Sequence, residues 1–105
     1  MAHAIIWLLQ AAQDLQGISD YISAQSPAYA DLMIERILDA VEDLEKFPHM
    51  GSRLTAVRRK GVLLRQLLVG PYRVIYRLKY DRVIILGVIH GARDLRKAMR
   101  GRWLE

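Results

Sequence analysis

The apolar period of this chain passes from helical to strand-like between its two halves, and that change dictates two layers of different kind. Ala11, Leu15, Ile18 and Ile22 recur at i, i+4, i+7 and i+11, one stripe of a helix. Ala30, Met33, Ile34, Ile37, Leu38, Val41 and Leu44 form a broader helical face, with Asp31, Glu35, Asp39, Glu42, Asp43 and Glu45 largely opposite. From residue 62 the pattern is that of strands: Val62 to Val69, Tyr72 to Lys79 and Arg82 to His90. A striped helix pair must bury its apolar side, and a sheet face is the economical place for it.

Local signals set the boundaries. His3 to Leu8, with Ile5, Ile6 and Trp7, reads as a short first strand. Ser26-Pro27 starts the second helix, serine as cap and proline at the first helical position. Phe47-Pro48 stops it, because residues before proline avoid the α region. A link of about three residues makes the two helices an antiparallel hairpin. Residues 48–61, with Pro48, Gly51, Gly61 and the basic run Arg58-Arg59-Lys60, read as an exposed loop. Gly70-Pro71 and Tyr80-Asp81 are tight turns, so the last three strands form an antiparallel meander with the apolar Arg82–His90 strand central. Asp94 caps a short final helix, with Leu95, Ala98 and Met99 packing. Gly17 costs helix propensity and is read as a place of close packing. The expected fold is α+β, order β-α-α-β-β-β, a helical hairpin on one face of a small, mainly antiparallel sheet with a short C-terminal helix. Residues 1–105 form a single domain.

Charge follows the same division. Residues 1–50 carry eight acids and two bases, and residues 51–105 three acids and fourteen bases. The folded domain therefore has one strongly positive side, suited to a polyanion or an acidic protein partner, or simply solvated. There is no cysteine, which excludes disulfides, a thiol nucleophile and thiolate metal sites. His3, His49 and His90 are isolated, so no metal and no cofactor is expected. The apolar run Ala4 to Leu9 is too short for a signal peptide or membrane span, and a cytoplasmic location without membrane contact follows. Nucleophile-elbow, P-loop and dinucleotide motifs are missing.

What remains is a basic constellation. Arg65, Arg73 and Arg77 sit mid-strand, where charge is costly on a buried face, so their face is expected to be open to solvent or a partner. His90 ends the last strand and Arg93 follows. Such a set suits metal-free phosphodiester cleavage, the arginines stabilising transition-state charge and His90 acting as general acid or base. The plain alternatives are cross-strand ion pairs or apolar cover for Arg65 and Arg77, and a hydrogen bond to a backbone carbonyl for His90.

Four segments together resemble one family. Ala12 to Ile22 is similar to the "A-x-x-D-L-x-x-I-x-x-Y" opening of RelE/ParE-superfamily toxins. Leu44 to Arg53 resembles their "L-x-x-x-P-x-x-G" link, Pro71 to Arg77 their "Y-R-V-I-Y-R" strand, and Val88 to Asp94 their "V-x-H-x-x-R-D" end. The resemblance implies the toxin of a type II toxin–antitoxin module, often a plasmid-stabilisation device, with a cognate antitoxin as partner. The assembly would be a homodimer or a toxin–antitoxin hetero-oligomer. The opening and the His90-Gly91-Ala92-Arg93-Asp94 end resemble the ParE branch, whose members inhibit DNA gyrase. On that reading Arg93, Arg96, Lys97, Arg100, Arg102 and Trp103 bind the target and Arg65, Arg73 and Arg77 the antitoxin. The RelE branch cleaves mRNA on the ribosome; there Arg65, Arg73, His90 and Arg93 would be catalytic. Two departures speak against cleavage: Leu68 stands where ribonuclease members commonly carry an arginine, and no tyrosine follows Tyr80. A non-toxic basic nucleic-acid-binding domain is the third reading.

Overall fold

The structure, a computed structural model, describes residues 2–102. Strand β1 (Ala4–Trp7) leads directly into α1 (Leu9–Ser23), and α2 (Pro27–Asp43) returns alongside it. Strands β2 (Ser52–Arg59), β3 (Val62–Val69), β4 (Tyr72–Lys79) and β5 (Arg82–His90) come next, then one turn of helix, α3 (Leu95–Ala98). The sheet order is β1-β5-β4-β3-β2, parallel between β1 and β5 and antiparallel elsewhere. The α+β class, the hairpin and the final short helix are those expected.

Caps fall where the sequence places them. The Ser26 hydroxyl accepts from the Tyr29 N–H at 3.2 Å, with Pro27 at the first helical position. Asp94 accepts from the N–H groups of Arg96 and Lys97. The α2 face is narrower than the sequence pattern: Met33, Ile37, Val41 and Leu44 are buried, Leu38 is exposed. They meet Tyr72, Val74, Tyr76, Val83, Ile85 and Val88 of the sheet. Each such fully buried aliphatic side chain contributes about 1.5–3 kcal/mol.

Several expectations change. Residues 52–59 are an edge strand, not a loop. A bulge between Leu54 and Arg59 breaks the two-residue period that would have announced it. Its cationic sequence is the usual protection of an edge. Second, the other face of the sheet is not open. Leu54, Leu64, Ile75, Ile84, Leu86 and Ile89 form a second apolar core there, closed by Ala98 and Met99. Third, Gly17 does not serve close packing, because a Cβ there would meet nothing within 4 Å. Strand β5 is internal, as its composition requires, but β4 is the middle strand.

Strand β5 carries an irregularity of its own. Ile75 pairs with Gly87 and Tyr76 with Ile85, so Leu86 is an extra residue in β5. The bulge moves the alternation on by one. Val83 and Ile85 face the helices before it, and Val88 after it.

Candidate functional site

Directly paired residues of antiparallel strands share a face. The β3–β4 register pairs Arg65 with Tyr76, Leu68 with Arg73 and Leu64 with Arg77. Tyr76 belongs to the helix-side core and Leu64 to the other. Arg65 therefore projects on the helix side and Arg73 and Arg77 on the opposite one. The single arginine face expected from the sequence is split in two.

Arg65 is engaged locally. Its Nη1 donates to the Gly51 carbonyl at 2.8 Å and reaches the His49 carbonyl at 3.4 Å. It borders a cavity of about 280 Å³ shared with His49 and Arg77. Arg73 donates to Gln66 Oε1 and to the Gly91 carbonyl, both at 3.3 Å. His90 pairs with Tyr72 and meets it edge-on, ring centroids 5.4 Å apart. The His90 Nδ1 accepts from the Ala92 N–H at 3.0 Å. The plain reading of the sequence for His90 is a bond to a backbone carbonyl; the ring instead accepts from a backbone N–H. His90 and Arg93 line one cavity; Arg73 lines another beside it. Arg65 lies four residues further along β4, roughly 13 Å at about 3.3 Å per residue. The four residues named for phosphodiester cleavage are thus not gathered in one cavity.

Three cavities converge on Tyr72. One of about 600 Å³ lies between α1 and the end of β5, lined among others by Gln13, Gly17, Tyr21, Val88, His90 and Arg93. A second, about 480 Å³, continues between Tyr21, Tyr29 and Pro71. The third, about 350 Å³, lies by Leu68 and Arg73. Tyr21 is 74% exposed and Leu68 68%, large for apolar side chains. Burial, with smaller contributions from Tyr29 and Tyr21, holds the Tyr72 hydroxyl above the usual tyrosine range. The result is an aromatic groove, with cations at its β5 end. Sequence reasoning missed Tyr21 and Tyr29. Tyr21 stands in the opening motif, but a pattern does not show that its side chain faces out over a cavity.

The link motif has a structural cause. Tyr76, fully buried, donates from its hydroxyl to the Pro48 carbonyl at 2.8 Å and accepts from the Gly51 N–H at 2.9 Å. A Cβ on Gly51 would stand 2.6 Å from that hydroxyl and 2.7 Å from the Gln66 carbonyl, so only glycine fits. Burial raises the Tyr76 hydroxyl above its ordinary range, against the lowering effect of the Gly51 bond and Arg65.

The tail divides. Arg93, Arg96, Lys97 and Arg100 are exposed, while Ala98 and Met99 are buried as a cap over the second core. Arg102 is held by Asp14 through two contacts of 2.5 and 3.1 Å. Trp103 lies outside the described residues. Among the described residues, no three His, Asp or Glu side chains stand together as metal ligands would. No helix among them is long and apolar enough to cross a membrane.

Proteins similar to this chain include toxins. The chain is 34% identical over 89 residues to a protein named Toxin RelE2 from Caulobacter vibrioides, covering 85% of this chain and 96% of that one. Its fold matches a chain of a chromosomal ParDE toxin–antitoxin system from P. aeruginosa, with a TM-score of 0.70 and 27% identity, covering 85% and 96% of the two chains. An archaeal RelE–RelB complex from Pyrococcus horikoshii has a chain of the same fold, TM-score 0.61 at 19% identity, covering 90% and 100%. The model of the ParE toxin of the type II toxin–antitoxin system parDE matches residues 5–95. This chain belongs to that family, the ParE toxins of type II toxin–antitoxin systems.

Proposed function

We propose that this toxin inhibits DNA gyrase in the cytoplasm and is neutralised by a cognate antitoxin. The observation that carries the gyrase reading is the dispersal of Arg65, Arg73 and His90. Arg73 projects from the face opposite Arg65, and Arg65 and His90 lie roughly 13 Å apart along β4. Cleavage needs acid–base and charge-stabilising groups around one phosphate, and here those groups are spread out. Leu68 agrees with this reading, since it offers no charge on the strand position where ribonuclease members of the superfamily carry arginine. The exposed cations Arg93, Arg96, Lys97 and Arg100 are the proposed target-facing set.

The antitoxin partner is supported by the solved relatives, which come from toxin–antitoxin systems. The groove of Tyr21, Tyr29 and Tyr72 suits the apolar side of an amphipathic segment. Arg65, Arg73 and Arg77 are the proposed contacts for acidic residues of the antitoxin, Arg65 on the helix side and the other two on the opposite face.

The test is direct. Purified toxin should block gyrase supercoiling or trap cleaved DNA–gyrase complexes, and leave mRNA intact in a translating extract. The second reading, a ribosome-dependent mRNA endonuclease, is favoured by the RelE name of the Caulobacter relative. Codon-positioned mRNA cleavage that vanishes in His90→Ala would establish it instead.

A further inference from the structure

Strand β1 covers only the first part of the β5 edge. Its last paired residue, Trp7, stands opposite Ile85, and the Leu8 N–H closes on the Ile85 carbonyl before the chain turns into α1. Residues 86–90 continue beyond it with no strand on that side among the described residues. This is the most hazardous stretch of the chain to leave open. Val83–Ile89, VIILGVI, is seven residues long, has no charge and no proline, and is mostly β-branched or leucine. That composition marks segments that stack on identical copies of themselves.

Two side chains occupy the open edge. The Val88 N–H donates to Asp14 Oδ2 at 3.0 Å, and Arg102 Nη1 donates to the Leu86 carbonyl at 3.2 Å. Asp14 comes from α1 and Arg102 from the tail, and they pair with each other across the edge. Gly87 makes the approach feasible, since a Cβ there would lie 2.9 Å from Arg102 Nη1 and 3.3 Å from Asp14 Oδ2.

We infer that the Asp14–Arg102 pair is a plug that closes the β5 edge to strand addition by a second copy of this chain. The carboxylate accepts and the guanidinium donates at the backbone groups that an incoming strand would use. The pair also leaves two charges where such a strand would have to lie. A second copy is the matching occupant because the segment behind the plug complements itself.

The test compares two full-length variants. Asp14→Asn/Arg102→Gln removes the plug. Tyr76→Phe loosens the fold at an internal strand and leaves the β5 edge closed. At temperatures equally far below each midpoint, the plug variant should self-associate on the order of tenfold faster by sedimentation velocity. Amides 86–90 should become protected within its assemblies. A plug variant that stays monomeric, associates no faster than Tyr76→Phe, or gains protection elsewhere overturns the inference. Hydrogen exchange of the wild-type protein provides a check that no folding defect can spoil. The Val88 amide should exchange as slowly as those of the β4–β5 ladder, and fast exchange there also overturns it.

Discussion

Asp14 and Arg102 are separated by nearly the whole chain, yet their side chains meet at 2.5 and 3.1 Å and are only 13% and 11% exposed. The pair ties the first helix, the bulge of β5 and the C-terminal tail into one junction. Sheltered pairs with added backbone bonds are the ones whose disruption is costly, because each partner left alone is an uncompensated charge.

A double-mutant cycle on Asp14→Ala and Arg102→Ala should therefore show coupling of about 1–3 kcal/mol. Urea unfolding monitored by circular dichroism measures it. Additive effects would mean that the two residues act independently.

The tail cations should separate by role. Arg96, Lys97 and Arg100 are exposed, and surface substitutions usually stay within about 0.5 kcal/mol. Changing all three to Gln should leave the melting temperature nearly unchanged and reduce toxicity. Arg102→Gln should lower the melting temperature by several degrees. A fully toxic triple variant would remove these residues from the target interface.

Tyr76→Phe should cost about 1–3 kcal/mol, since it strips partners from the Gly51 N–H and the Pro48 carbonyl inside the protein. Gly51→Ala should cost more, because the new methyl collides with the same hydroxyl and with backbone. Chemical denaturation of both variants decides the order.

Tyr72 and Tyr76 both titrate above the ordinary tyrosine value of 10.0 in the folded protein. Ionised tyrosine thus favours the unfolded chain. Their contribution to stability is complete below pH 10 and is lost as pH rises from there through the raised folded values. Thermal midpoints should fall steeply above pH 10, and less steeply in Tyr76→Phe. An equal slope in that variant would assign the alkaline loss to other groups.

Tyr21→Ala should leave stability unchanged and weaken antitoxin binding by about tenfold or more, as loss of an aromatic anchor does. Its 74% exposure means little folding energy is at stake. Calorimetric titration with the antitoxin reads the affinity, and an unchanged value would place the antitoxin elsewhere.

The elements of this protein were legible in its sequence because they rest on local physics. The helical stripes, Ser26-Pro27, Phe47-Pro48 and the two tight turns each act within a few residues, and the helices and β3–β5 stand where those signals put them. The family could be read as well, since its motifs are contiguous. What only the tertiary structure decided were relations across distance. The bulge in β2 hid an edge strand by breaking its period. Strand register, set by pairing with a neighbour, put Arg65 on the helix side and Arg73 and Arg77 on the other. The extra residue Leu86 in β5 turned Val88 toward α1, where Asp14 meets its amide. Charge and period can be counted along a chain, but which partners a side chain finds depends on register and closure. Those are fixed only when two cores form on opposite faces of one sheet.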